Sequence, residues 1–190
     1  MTANLRVPGP TPCPDEVLEA SARPMINHRG PEFQEMLKRM TERLKQLFVT
    51  ENDLYILTTS GTGALEAAVV NTLSPGDKVL ASTIGVFGER FVQIGRAYGA
   101  EVEVLNTTWG QAADPADFRA ALHADPSIKA VMVTHNETST GVTNDLAAIA
   151  AVVKGEFGKL LLVDAVSSVG SIPCPVDAWD LDVVASGSQK

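Results

Sequence analysis

The chain has 190 residues, 45% hydrophobic and 20% charged, with 15 Gly and 11 Pro; that composition buries a sizeable core and excludes a disordered, collagenous or disulfide-stapled polypeptide. Its net charge of −8 repels phosphate backbones and anionic lipid, so with no Lys/Arg cluster neither nucleic acid nor a membrane is an expected partner. Cys13 and Cys174 stand far apart beside prolines, which suits reduced thiols, and the opening residues carry no signal-peptide pattern, so a cytoplasmic protein is expected.

Residues 1–30, with Pro8, Pro10, Pro12, Pro14 and Pro24, read as an extended lead-in. From Pro31 to Phe48 the apolar positions Phe33, Met36, Leu37, Met40, Leu44, Leu47 and Phe48 recur at spacings of 3, 1, 3, 4, 3 and 1, which predicts an amphipathic helix. Short apolar or β-branched runs then alternate with helical patterns, the signature of a mostly parallel sheet with flanking helices in a three-layer α/β/α arrangement. The expected strands are Tyr55–Thr58, Lys78–Ser82, Glu101–Leu105, Lys129–Thr134, Lys159–Val163 and Asp182–Ser186. Among the helices, Ala64–Leu73 follows the first strand, Gly99 ends one that starts near Gly88, Asp114-Pro115 opens another, and Asn144 caps one running to about Lys154.

In open parallel sheets ligands bind at the carboxyl ends of the strands. The loops expected there hold Ser60-Gly61-Thr62-Gly63, Val86-Phe87-Gly88, His135-Asn136-Glu137-Thr138, Asp164-Ala165-Val166 and Ser186-Gly187-Ser188-Gln189-Lys190, whereas the loops before the strands are plain turns. Ser60–Gly63 between a strand and a helix is a natural phosphate cradle; it lacks the lysine of a P-loop, and Glu66 stands where a dinucleotide fingerprint needs its third glycine. Each feature also has a bland reading: a turn needing glycine, a helix cap at Asp164, a core ring at Phe87, a solvated Lys190. His135 and Glu137 form an H-x-E, but Asp177 stands where a zinc deaminase has its second cysteine after Cys174, so no metal is expected. Together the inventory fits pyridoxal 5'-phosphate, which needs a lysine for a Schiff base, an anion beside its pyridine nitrogen, a phosphate cradle and a face for its ring.

Several stretches also resemble the fold-type I, class V aminotransferases, particularly the alanine–glyoxylate and serine–glyoxylate or serine–pyruvate branch. They are Val7–Thr11, His28–Phe33, Ser60–Ala67, Phe87–Arg90, Thr134–Val142, Leu162–Ser168 and Ser186–Lys190, in family order across almost the whole chain. The resemblance implies that Lys190 carries the cofactor and that Asp164 pairs with the pyridinium. Ser60, Gly61, Thr62 and Gln189 match phosphate positions. Phe87 stands where many members carry Trp or Tyr, Thr138 matches a hydroxyl near the ring oxygen, Val166 the side chain under the opposite face, and Gly9 a lead-in that folds over the substrate.

It implies further that 31–190 is the cofactor-binding large domain up to its lysine, without the small C-terminal domain that supplies the arginine for the substrate carboxylate; none of the chain's own arginines is expected at the active rim. The expected activity is transamination of a small amino acid, alanine or serine, with glyoxylate or pyruvate, by a homodimer. The alternatives are another class V chemistry, of the cysteine desulfurase or phosphoserine aminotransferase kind, and a non-catalytic α/β binding module.

Overall fold

A computed structural model describes residues 5–190. The lead-in departs from the extended reading at one point: helix α1 (Asp15–Ser21) forms, with none of its residues buried. Four of the lead-in prolines precede Asp15, leaving 15–21 free of ring constraint, and Asp15 and Glu16 in the first turn favour a helix start. Helix α2 (Pro31–Phe48) forms as the periodicity predicts. It meets the rest of the molecule through Phe48, which joins the core and accepts a backbone hydrogen bond from Val176, while Met36, Leu37 and Met40 stay 37–39% exposed.

Residues 55–58 are a correction. Instead of the expected first strand they run outside the sheet, Tyr55 is 78% exposed, and no ladder partner adjoins them among the described residues. Apolar, β-branched composition favours a strand, but a strand exists only against a neighbour.

The alternating pattern then holds. In order come α3 (Gly61–Thr72), β1 (Lys78–Thr83), α4 (Val86–Ala97), β2 (Glu101–Asn106), α5 (Pro115–Ala124) and β3 (Ala130–Thr134). A short hairpin of β4 (Asn136–Glu137) and β5 (Val142–Thr143), not foreseen in the sequence, leads into α6 (Leu146–Ala150), which continues with π-helical geometry over Ala151–Glu156. Then come β6 (Leu160–Asp164) and β7 (Val183–Ala185).

The main sheet has the order β2-β1-β3-β6-β7, every pair parallel. Successive side chains face opposite sides. Leu80, Val131, Val133, Leu161 and Val163 meet Phe118, Leu122, Ile149 and Val153 of α5 and the α6 region on one face. Val79, Ala81, Ala130, Met132 and Leu162 meet Leu65, Val69, Phe91 and Ile94 of α3 and α4 on the other. The three layers are thus those expected.

Helix ends follow their chemistry, with one exchange of roles. Asp114 caps α5 by accepting from Ala116 N–H at 2.8 Å, and Gly99 (φ +87°) closes α4 with Gly99 N–H donating to Arg96 and Ala100 N–H to Gly95, the paired bonds of a Schellman end. Asn144, expected as the α6 cap, is not one; Asp145 accepts from Ala148 N–H instead. Asn144 is buried as a bridge, accepting from Ala113 N–H and donating to the Thr134 carbonyl, both at 2.8 Å.

Candidate functional site

The ladder register places Thr134 beside Asp164 and Asp164 beside Ala185, so the three strands end level and the loops that follow them share one rim. Helices α3 and α4 begin at the same rim. Lys190, at the end of the β7 loop, donates from Nζ to Thr138 Oγ1 at 2.6 Å and lies 4.6 Å from the Phe87 ring centroid. Burial pulls its amine below the ordinary lysine range, against the opposing pull of the Asp164 and Glu137 carboxylates.

Asp164 is 4% exposed. Its Oδ1 accepts from Val166 N–H at 3.0 Å, yet burial outweighs that bond and pushes the carboxyl up to about 6. A carboxylate so placed gains most from a cation brought against it. The bland reading, a cap on the next turn, accounts for the Val166 bond and for no other feature of its burial.

Ser60 caps α3, its Oγ accepting from Gly63 N–H at 3.3 Å. The N–H groups of Gly61 and Thr62 lie in the first turn, where a helix offers them no acceptor. Glycine is needed at 61 because a Cβ there would come 2.9 Å from Val166 Cγ2. The β7 loop closes on this turn, with Gly187 against Gly61. Gln189 is exposed, and its carbonyl accepts from Thr11 N–H at 3.2 Å and Thr11 Oγ1 at 3.3 Å. The same lead-in sets Gly9 on the lysine: a Cβ there would lie 3.0 Å from Lys190 Cγ.

Every residue expected at the site is therefore at this rim. Two more were missed. Arg90, three residues after Phe87 on α4, holds its guanidinium 5.0 Å from the Phe87 centroid, which corrects the expectation that no arginine reaches the rim; positions three apart share one helix face. Glu137 is 0% exposed and takes four hydrogen bonds from Phe87, Gly88 and Ser139. Its sequence signal, a polar run after an apolar strand, is visible, but its partners some fifty positions earlier are not. His135 turns from any H-x-E pairing, its ring edge-on to Trp179 at 5.9 Å. Loop is tied to loop where Asn136 Nδ2 donates to Ser167 Oγ and Ser167 Oγ to the Asn136 carbonyl.

The residues fit pyridoxal phosphate on structural grounds: a buried carboxyl pushed upward, a glycine cradle that a Cβ would fill, and a partly buried lysine beside a half-buried ring. A parallel α/β sheet with these groups at its carboxyl rim defines a class, the sheet enzymes that hold an aldehyde cofactor through a lysine. The family model described as aminotransferase class-V matches residues 6–190, and the chain belongs to that family, which is generally dependent on pyridoxal phosphate.

Among its relatives, the soluble hydrogenase 42 kDa subunit of Anabaena cylindrica is 52% identical over 98% of this chain and 49% of its own length. A serine–glyoxylate aminotransferase of Methylorubrum extorquens is 42% identical over 98% of this chain and 48% of its own. The crystal structure of an alanine–glyoxylate aminotransferase from Nostoc sp. superposes with a TM-score of 0.92 at 36% identity, covering 97% of this chain and 48% of that one. The chain thus spans about half the length of the curated relatives it matches. No helix among the described residues is long and apolar enough to cross a membrane.

Proposed function

We propose that the chain forms the cofactor-binding part of a pyridoxal 5'-phosphate aminotransferase that moves an amino group between a small amino acid, alanine or serine, and glyoxylate or pyruvate. The observation that carries this reading is Lys190 Nζ, held by Thr138 and set against the Phe87 ring, on the rim that also bears buried Asp164.

When bound, the cofactor supplies an electron sink for charge developing on the substrate's α-carbon. Asp164 would pair with the cofactor's protonated ring nitrogen and keep its proton there. Phe87 and Val166 would hold the ring between them, and Thr138 would offer its Oγ1 to the ring oxygen. Ser60, Gly61, Thr62 and Gln189 take the phosphate, whose charge the start of α3 favours. The Lys190 amine, with its proton affinity lowered by burial, takes the α-proton and returns it. Gly9 lets the lead-in pack against the Lys190 stem, from where the lead-in would fold over the substrate. A homodimer in the cytoplasm, acting on an amino acid and a 2-oxo acid, completes the proposal.

Cys174 lends no support to a cysteine desulfurase, because burial pushes its thiol up to about 11, opposite to an activated nucleophile. The test is borohydride reduction of the pyridoxal phosphate-loaded protein followed by peptide mapping. A tag on Lys190 is expected; a tag on Lys154 or Lys159, or on no lysine, ends the proposal.

A further inference from the structure

Helix α4 begins with Gly85 as its N-cap, a residue with no side chain to accept a hydrogen bond. The first N–H groups of a helix have no acceptor of their own, and those of Val86, Phe87 and Gly88 are all satisfied from elsewhere. Val86 N–H donates to Ser139 Oγ at 3.1 Å, while Phe87 and Gly88 N–H donate to Glu137 Oε2 at 3.1 and 3.0 Å. Glu137 Oε1 in turn accepts from Ser139 N–H and Oγ at 3.0 and 2.7 Å. From Glu89 onward the helix supplies its own acceptors, with Glu89 N–H donating to the Gly85 carbonyl. The whole cap of α4 is thus built from the 137–139 segment, about fifty residues downstream.

The fit is tight. A Cβ on Gly85 would come 2.5 Å from both Glu137 Cγ and Ser139 Oγ, so glycine is required by the approach of the carboxylate; its φ of 164° is ordinary extended backbone. Thr138, between the two capping residues, is the partner of Lys190 Nζ. Three consecutive residues therefore hold both the backbone that carries the Phe87 ring and the amine that lies 4.6 Å from it.

We propose that Glu137 is a positioning residue: it fixes the Phe87 ring against Lys190, and so against the pyridoxal phosphate ring, by anchoring the Phe87 and Gly88 amides. This rests on the cofactor reading above. Any carboxylate that caps α4 must bind its first-turn amides, and here those amides include that of the stacking residue, held from the loop that also orients the lysine.

The test uses the full-length protein carrying Glu137→Ala, Glu137→Gln, Phe87→Ala and the Glu137→Ala/Phe87→Ala pair, with Glu156→Gln at the exposed Arg119 ion pair as control. Read are the pyridoxal phosphate dissociation constant by absorbance titration, the visible circular-dichroism band of the bound cofactor, and hydrogen exchange of the Phe87 and Gly88 amides. Glu137→Ala and Phe87→Ala should each weaken cofactor binding by about tenfold, as loss of a well-placed aromatic contact implies. The pair should lose no more than about tenfold, because two changes acting through one contact do not add.

Glu137→Gln keeps one carbonyl oxygen for the Phe87 and Gly88 amides and turns its NH2 toward Ser139, whose Oγ can accept while its N–H loses an acceptor; because the helix amides stay held, it should restore binding to within about threefold of wild type. It also keeps the test valid where the alanine variant fails to fold. A roughly hundredfold loss in the pair, or a dichroism band unchanged while the two amides lose protection, overturns the positioning role. Wild-type protein that takes up no pyridoxal phosphate overturns the cofactor reading and this role with it, a result distinct from either.

Discussion

At Asp164 the folded chain holds a proton up to about pH 6, whereas an ordinary carboxyl releases it near 3.8. Because the folded value is raised, the cost of burying the charge is absent below about pH 4, grows as pH rises and is complete above about 6. At about 1.4 kcal/mol per pH unit it amounts to roughly 3 kcal/mol. Asp164→Asn, whose Oδ1 still accepts from Val166 N–H, should therefore stabilise the cofactor-free chain by up to ~3 kcal/mol at pH 8 and by nothing at pH 3.5, as read from urea unfolding at the two pH values. The same residue should cost function. Removing the partner of a desolvated cation by Asp164→Ala forfeits roughly 3–5 kcal/mol, a fall in turnover of a hundredfold or more, against about tenfold weaker cofactor retention for Phe87→Ala. Steady-state assays in which Phe87→Ala harms turnover more would reverse these assignments. On the proposed reading, the buried carboxyl costs stability in the free chain and is stabilised by the cation it pairs with.

Elements depend on buried polar bridges as much as on apolar faces. Asn144 joins the start of α6 to the end of β3 and to the segment before α5; Asn144→Ala leaves the Ala113 N–H and Thr134 carbonyl unpaired and should cost about 2–4 kcal/mol. Asn71→Ala, whose exposed amide bonds only within α3, should stay within about 0.5 kcal/mol in the same unfolding measurement. Asn144 also shows where the sequence misleads. Its position before an apolar run resembles a cap, but Asp145 beside it does that work, and which of two adjacent polar residues turns inward depends on long-range packing. Strands β1, β3 and β6 were legible because two-sided burial leaves continuous apolar runs, and the edge strand β2 because Glu101, Val102, Glu103 and Val104 alternate. Phe87, Thr138, Asp164 and Val166 could be placed at one rim because they follow β1, β3 and β6, and Gln189 and Lys190 because they follow β7. Glu137 was not legible, since its contacts to Phe87 and Gly88 join segments that no local pattern relates; Arg90 was missed although its partner Phe87 lies one helical turn away, and residues 55–58 were misread because strand composition says nothing about a neighbour.

For the whole molecule, the faces left open are specific. The α2 stripe leaves Met36, Leu37, Met40 and Leu47 between 37% and 48% exposed, and Tyr55, Ile56 and Leu57 lie between 43% and 78% exposed. Strand β7 ends the sheet on one side. Exposed apolar stripes promote association, as does a strand edge left unpaired among the described residues, so these 190 residues expressed alone should sediment as oligomers at micromolar concentration and bind a hydrophobic dye. A monodisperse, dye-silent monomer would show that these surfaces are tolerated in water. The hydrogen bonds from Thr11 to the Gln189 carbonyl span 178 residues and set an order in time. The lead-in is synthesised first and its acceptor much later; at 5–20 residues per second, roughly 9–36 s separate the two on the ribosome. Throughout that interval the rim lacks Lys190 and the loop that bears it, so on the proposed reading cofactor capture waits until synthesis has passed residue 190, and a translational pause placed before residue 189 would delay it while leaving the earlier strands free to pair.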